Sequence, residues 1–299
     1  MDIRIIKYFL MVAEEENITK AAYRLNISQP PLSKQIKQLE EELGVQLFTR
    51  DKNKMHLTEA GYLLKNYGQA IVDLMDKTQE QINAIKKGVS GTISIAALES
   101  ATTSFLPEWI KMFRDKYENV KFDLWSGTTD EIVEKLRQGI SDIGMVRSPF
   151  DDEGYERIEL AAEPWVVLMK KDNPLAQSEG EYIDLSEIGT QPLVIPARAS
   201  RLAEIQQWFK DSKYQPNIIM RFNDMINCVA LVSKEVCIAI CPISVKYMLP
   251  GNDLVYKKIK SPKVESKTLI VWQKDKYYSQ ATKEFIKFMQ EEAQNVTYN

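Results

Sequence analysis

Leu32, Ile36, Leu39 and Leu43 recur at spacings of four, three and four. That period puts them on one face of an α-helix turned toward a core. The other face is polar, with Pro30, Lys34, Lys37 and Gln38, and with Gln29 and Ser33 at its N-terminal shoulder. Ser28 stands at the N-cap, where its hydroxyl is expected to accept a backbone N–H. Pro30 and Pro31 fall in the first turn, where a missing N–H costs little. A shorter helix is expected over about 18–25, with Ala21 and Ala22 small enough for close packing and Asn26 and Ile27 making the turn. Before it, Ile3 to Glu15 reads as a first helix with Ile6, Phe9, Leu10 and Ala13 inward. After the second helix of the pair, Val45–Phe48 and Met55–Leu57 read as short strands around a turn at 51–54, with Arg50, Lys52 and Lys54 at the tip. This is the plan of a winged helix-turn-helix, in which the second helix docks its N-terminal residues on base edges. A plain surface helix would carry a similar polar face, but it would not predict the wing.

Thr58 is expected to cap a long helix running to about Lys87. On it Leu64, Tyr67, Ile71, Leu74, Thr78, Ile82 and Ile85 step by three or four, a seam suited to coiled-coil-like pairing. The competing reading is a helix packed on its own domain. Lys86, Lys87, Gly88, Ser90 and Gly91 then make a hinge. From Thr92 the pattern alternates. Strands are expected at 92–98, 120–125 and 142–146, with helices at 103–117 and 130–138 between them. A second group follows, with strands at 165–170, 193–195, 218–222 and 236–241 and helices at 201–210 and 224–232. A strand at 268–273 and a helix from 278 to about 294 close the chain. Such β-α-β order implies parallel sheets covered by helices. The chain would cross between two lobes near Glu163 and again near Ser266.

Composition narrows the function. The 299 residues, 44% of them hydrophobic, suffice for two or three domains. No apolar run approaches a membrane span, and Asp2, Arg4 and Lys7 interrupt any signal-peptide pattern, so a cytoplasmic protein is expected. Cys228, Cys237 and Cys241 lie in apolar surroundings and are expected to pack as reduced thiols. A single histidine, His56, argues against a zinc site. The net charge is −3, and residues 1–58 hold nine Lys/Arg against eight Asp/Glu, so DNA affinity must come from local placement and from a paired second copy. The chain has no G-x-S-x-G elbow, no G-x-G-x-x-G fingerprint and no Walker loop, so an enzyme is not expected.

The run ITKAAYRLNISQPPLSKQIKQLEEELGVQLFTR (18–50), followed by LTEAG (57–61), resembles the LysR-type transcriptional regulators, as does VEKLRQGISDIGMV (133–146) at lower specificity. The resemblance implies an α/β chain with an N-terminal all-α winged helix-turn-helix over 1–58. It implies a linker and dimerisation helix over 59–88, with Leu64, Tyr67, Ile71, Leu74 and Ile82 at the seam. The remainder, 89–299, would be a bilobal periplasmic-binding-protein-like effector domain, with subdomain I at 92–162 and 268–299 and subdomain II at 163–267. DNA contacts are expected from Ser28, Gln29, Pro30, Ser33, Lys34 and Lys37 on the helix and from Arg50, Lys52 and Asn53 on the wing. Lys34 and Asn53 depart from the arginines frequent in the family at those places. The implied partners are double-stranded operator DNA with dyad symmetry, further copies of the chain as dimer and tetramer, and RNA polymerase; no membrane and no cofactor is expected.

In open α/β sheets ligands bind beyond the carboxyl ends of the strands. Those ends carry Ser100, Ala101 and Thr102, then Thr128 and Thr129, then Arg147, and on the second lobe Pro196 and Arg198. Helix-start hydroxyls beside an arginine suit a small metabolite with a carboxylate. Against this, Ser100 and Thr128 could be plain helix caps, Arg147 could pair with Asp151, Asp152 or Glu153, and Arg198 could be a solvated surface charge. A ligand-switched regulator is the reading favoured over an architectural DNA-binding protein, for which some 200 residues of sensor-like α/β would have no task.

Overall fold

Asp2 accepts the N–H of Arg4 at 2.7 Å and opens α1 (Ile3–Glu15). Asn17 does the same for Thr19 and Lys20 at the start of α2 (Ile18–Arg24). This computed structural model describes residues 1–51, 54–84, 88–148, 150–197, 199–211, 215–260 and 265–297. The chain divides into two compact units, Met1–Ala84 and Ile85–Asn299.

In the first unit, α1, α2 and α3 (Gln29–Leu43) close on Phe9, Val12, Leu32 and Leu39, all fully buried. Ser28 occupies the N-cap of α3 but makes no side-chain cap hydrogen bond, contrary to expectation. Such a cap bonds the second or third N–H of the helix, and here those positions are Pro30 and Pro31, which have none. Leu43, expected inward, is 40% exposed. The helix stops one residue later at Gly44, whose φ of 70° is left-handed backbone that favours glycine.

The wing is shifted from its expected place. Its strands are β1 (Phe48–Asp51) and β2 (Lys54–Leu57), paired antiparallel with Phe48 opposite Leu57. Val45 belongs to the helix cap instead, its N–H donating to the Glu40 carbonyl. The Glu40 carboxylate then accepts the N–H groups of Leu47 (2.8 Å) and Phe48 (3.2 Å), so this acidic residue anchors the wing. Thr58 caps α4 (Glu59–Ala84) through the Gly61 N–H at 3.0 Å, as expected.

In the second unit, β3 (Gly91–Ala97), β4 (Val120–Ser126) and β5 (Ile143–Arg147) are parallel, in spatial order β4-β3-β5. The helix expected over 103–117 is present, starting a little later, and a separate short helix precedes it: α5 (Glu99–Thr103) comes first and α6 (Leu106–Lys116) second. Pro107 begins the second, and the hydroxyls of Thr102, Thr103 and Ser104 turn back onto the carbonyls that close the first. Helix α7 (Thr129–Arg137) covers one face of the sheet, and α6 with the C-terminal α11 (Gln280–Glu292) covers the other.

β6 (Tyr155–Lys170) is one 16-residue strand that serves both lobes. Its first half pairs with the returning strand β12 (Glu265–Gln273), which continues the sheet from β5. Its second half pairs with β10 (Ile238–Pro242) and β11 (Leu254–Ile259) of the second lobe. The second-lobe sheet continues through β8 (Pro192–Pro196) to β9 (Asn217–Phe222), while β7 (Tyr182–Ile183) pairs with β11. Helices α9 (Ala199–Asp211) and α10 (Met225–Ser233) pack on its two faces, and the short α8 (Pro174–Gln177) precedes β7. No described helix is long and apolar enough to cross a membrane. Cys228, Cys237 and Cys241 are all free and buried, and burial pushes the Cys237 thiol up to about 11.

Candidate DNA interface and ligand cleft

On α3, Ser28, Pro30, Lys34 and Lys37 are exposed, while Gln29 and Ser33 are half-buried. The Gln29 amide donates to the Ser33 hydroxyl one turn on, at 2.6 Å, which orders it on the helix surface. Lys37 lies 3.4 Å from Glu41, a solvated pair one turn apart. A groove between α3 and the wing is lined by Ser33, Lys34, Lys37 and Thr49 among others. The backbone of Arg50 lies in β1, but its side chain, and all of Lys52 and Asn53, lie outside the described residues. Glu14 and Glu15 each pair with Arg24 at 2.6 Å, and Glu40, which lines the groove, is held by the wing.

Along α4 runs a stripe of large apolar side chains that the rest of the first unit leaves exposed. Tyr67 is 59%, Ile71 40%, Leu74 44% and Ile82 56% exposed; Leu64 is half-buried against the three-helix core.

The cleft of the second unit has a volume of about 570 Å³ and lies where β6 passes between the lobes. The first lobe contributes Glu99, Ser100, Trp125, Gly127, Thr128, Thr129, Glu131 and Arg147; the second contributes Pro196, Phe222, Asp224, Met225 and Ile226. Trp165 of β6 also lines it. At Gly127 the backbone passes so close under the Trp125 indole that a Cβ would meet the ring at 2.0 Å. Ala101 and Thr102, expected in the site, do not line it. Ala101 is buried in the sheet–helix core, and the Thr102 hydroxyl is spent on the Glu99 carbonyl at 2.8 Å. Arg198 lies outside the described residues.

Arg147 is almost fully buried, and none of the acids weighed against it from sequence is its partner. Its Nη1 lies 2.5 Å from Oε2 of Glu163, which is 0% exposed, and its Nη2 donates to the Ser100 hydroxyl at 2.9 Å. The other oxygen of Glu163 accepts the Ser244 N–H of the second lobe at 2.8 Å. Ser100 is therefore not a helix cap; Leu98 holds that position in α5. Thr128 is one. Its hydroxyl and the Glu131 carboxylate form a reciprocal capping box, and the Thr128 N–H holds the Glu131 carboxyl below its usual range. A third carboxylate crosses the cleft, where Glu99 Oε2 accepts the Met225 N–H at the start of α10, at 2.7 Å.

Residues 86–294 match the family model of the LysR substrate binding domain, and residues 3–62 match that of the bacterial regulatory helix-turn-helix protein, lysR family. This chain belongs to the LysR family. The LysR-family chain is 30% identical to the HTH-type transcriptional regulator AlsR of Bacillus subtilis, over 93% of its own length and 92% of that protein's. It is 29% identical to the Hca operon transcriptional activator HcaR of Escherichia coli, over 99% and 100%. Its fold superposes on full-length CbnR complexed with its target DNA with a TM-score of 0.82, at 26% identity and covering 97% and 99% of the two chains. The protein is thus a DNA-binding transcriptional regulator with a substrate-binding domain, in a family of regulators rather than enzymes.

Glu163, Trp165, Trp125 and the 222–226 corner escaped the sequence reading. The strand-end rule, applied to β9 as it was to β3, β4 and β5, would have found the corner. Glu163 and Trp165 lie inside a continuous strand and carry no comparable signal.

Proposed function

We propose that this LysR-family regulator binds dyad-symmetric operator DNA as a dimer of recognition helices, joined into tetramers, in the cytoplasm, and that a small molecule held between its two lobes switches the spacing of those helices. The observation that carries the proposal is the joining, in one chain, of an exposed polar recognition face on α3 with a two-lobed cleft of about 570 Å³. The exposed stripe on α4 supports pairing between copies. A ligand acts on such a system only through its different affinity for two lobe arrangements, and the same coupling must appear in both directions. RNA polymerase is the partner through which a change in DNA geometry would alter transcription.

A carboxylate effector was the expectation from sequence, resting on Arg147. The Glu163 carboxylate already balances that guanidinium, so the cleft reading stands while the carboxylate loses its main support.

The DNA half has a direct test. Gln29→Ala is expected to lower operator affinity by about 1–3 kcal/mol while leaving non-specific binding nearly unchanged, because a base-edge contact carries sequence information and a phosphate contact does not. Quantitative footprinting measures both. An unchanged operator isotherm would show that this face of α3 does not read bases.

A further inference from the structure

Three features of the cleft would attract an anion, and each already holds a carboxylate of the chain itself. The Arg147 guanidinium is paired with Glu163. The N-terminus of α10 receives Glu99 through the Met225 N–H, and the N-terminus of α7 receives Glu131 through the Thr128 N–H at 2.8 Å. Guanidinium charge and helix dipoles are the usual sources of anion affinity, and here they are spent internally. Among the described residues, the charged side chains that line the cavity are Glu99, Glu131 and Asp224 with the guanidinium of Arg147. Asp224 stands at the N-cap position of α10, makes no side-chain cap hydrogen bond, and lines the cleft as an exposed side chain. The remaining walls are apolar and aromatic: Trp125, Trp165, Phe222 and Ile226. Indole faces attract cations, and Trp125 already carries one, with the Lys135 ammonium 4.5 Å from its ring centroid. An entering carboxylate would meet the like charges of Glu99, Glu131 and Asp224, whereas a cation would be attracted by them.

We propose that the ligand of this cleft is a small organic cation, an amine carried on an apolar body, with Asp224 as its counter-ion. This rests on the cleft being the effector site, and the test separates the two ideas. The full-length protein is titrated by calorimetry and thermal shift with three matched sets: benzylamine, benzyl alcohol and benzoate, and the cyclohexylmethyl and butyl equivalents. Within at least one set the amine is expected to bind about tenfold or more tighter than the carboxylate, with the alcohol between them. Raising the salt should weaken the amine and leave the alcohol unchanged. Asp224→Asn should lower the amine's affinity about fivefold or more and leave the alcohol within about twofold, a split that loss of fold would not produce. A carboxylate that binds tighter than its amine in every set, or an amine indifferent to Asp224→Asn, overturns the proposed ligand class and leaves the cleft reading standing. No binding by any member overturns both.

Discussion

Replacing Arg147 by alanine is expected to destabilise the α/β unit by about 3–5 kcal/mol, the cost of removing one partner from a buried ion pair. Glu163 is 0% exposed and would lose its ion-pair partner, keeping the hydrogen bond from the Ser244 N–H. Ser100 would lose its donor as well. Sheet and cleft meet at this point, so the loss should also loosen the link between the lobes. Urea unfolding of the full chain, followed by tryptophan fluorescence, measures the effect: Trp125 and Trp165 both line the cleft. The double replacement Arg147→Met with Glu163→Leu should recover most of the loss, because two apolar side chains of similar volume leave no uncompensated charge. A single-variant change below about 1 kcal/mol would put the pair in the class of solvated surface pairs instead. The arginine expected from sequence to clamp a ligand is, in this structure, first a structural tie.

Leu74→Glu is expected to give a monomer whose operator affinity falls by about tenfold or more. Leu74 lies mid-way along the exposed stripe of α4, between Ile71 and Ile82. A carboxylate there would be buried against a partner helix without a counter-charge, at a cost of several kcal/mol. A solitary winged module with nearly balanced charge has little affinity to fall back on, since its DNA binding depends on a few lysines and on a second half-site. Sedimentation velocity and gel-shift titration read both consequences. Persistence of the wild-type assembly in this variant would mean that the stripe packs against something other than its own copy.

Helical periodicity was the most legible signal. The bounds of α1 were read to the residue, because Asp2 caps it and Glu16 ends it in left-handed backbone. The wing was misplaced because Val45 is apolar and reads as strand, whereas its N–H closes the α3 cap. β11 was missed because lysines at 257 and 258 break the apolar pattern; Lys257 is buried with its ammonium 2.6 Å from the Ser178 hydroxyl. The first half of β6, YERIELAAE, carries four acids or bases on a strand that needs only β12 beside it. The strand-end rule brought Ser100, Thr128, Thr129, Arg147 and Pro196 to one cavity. It was blind to charge balance, because Glu163 and Glu99 come from sequence positions with no local relation to the groups they neutralise.

The central claim is that occupancy of the cleft changes how the recognition helices meet DNA. It is tested most directly by footprinting the operator with the parent protein, free and saturated with a compound shown by calorimetry to bind the cleft. A shifted boundary or a changed pattern of hypersensitive cleavage is predicted, together with a ligand affinity that differs between free and operator-bound protein by the same factor as the operator affinity changes with ligand. Identical footprints and identical ligand affinities, with and without DNA, would contradict it.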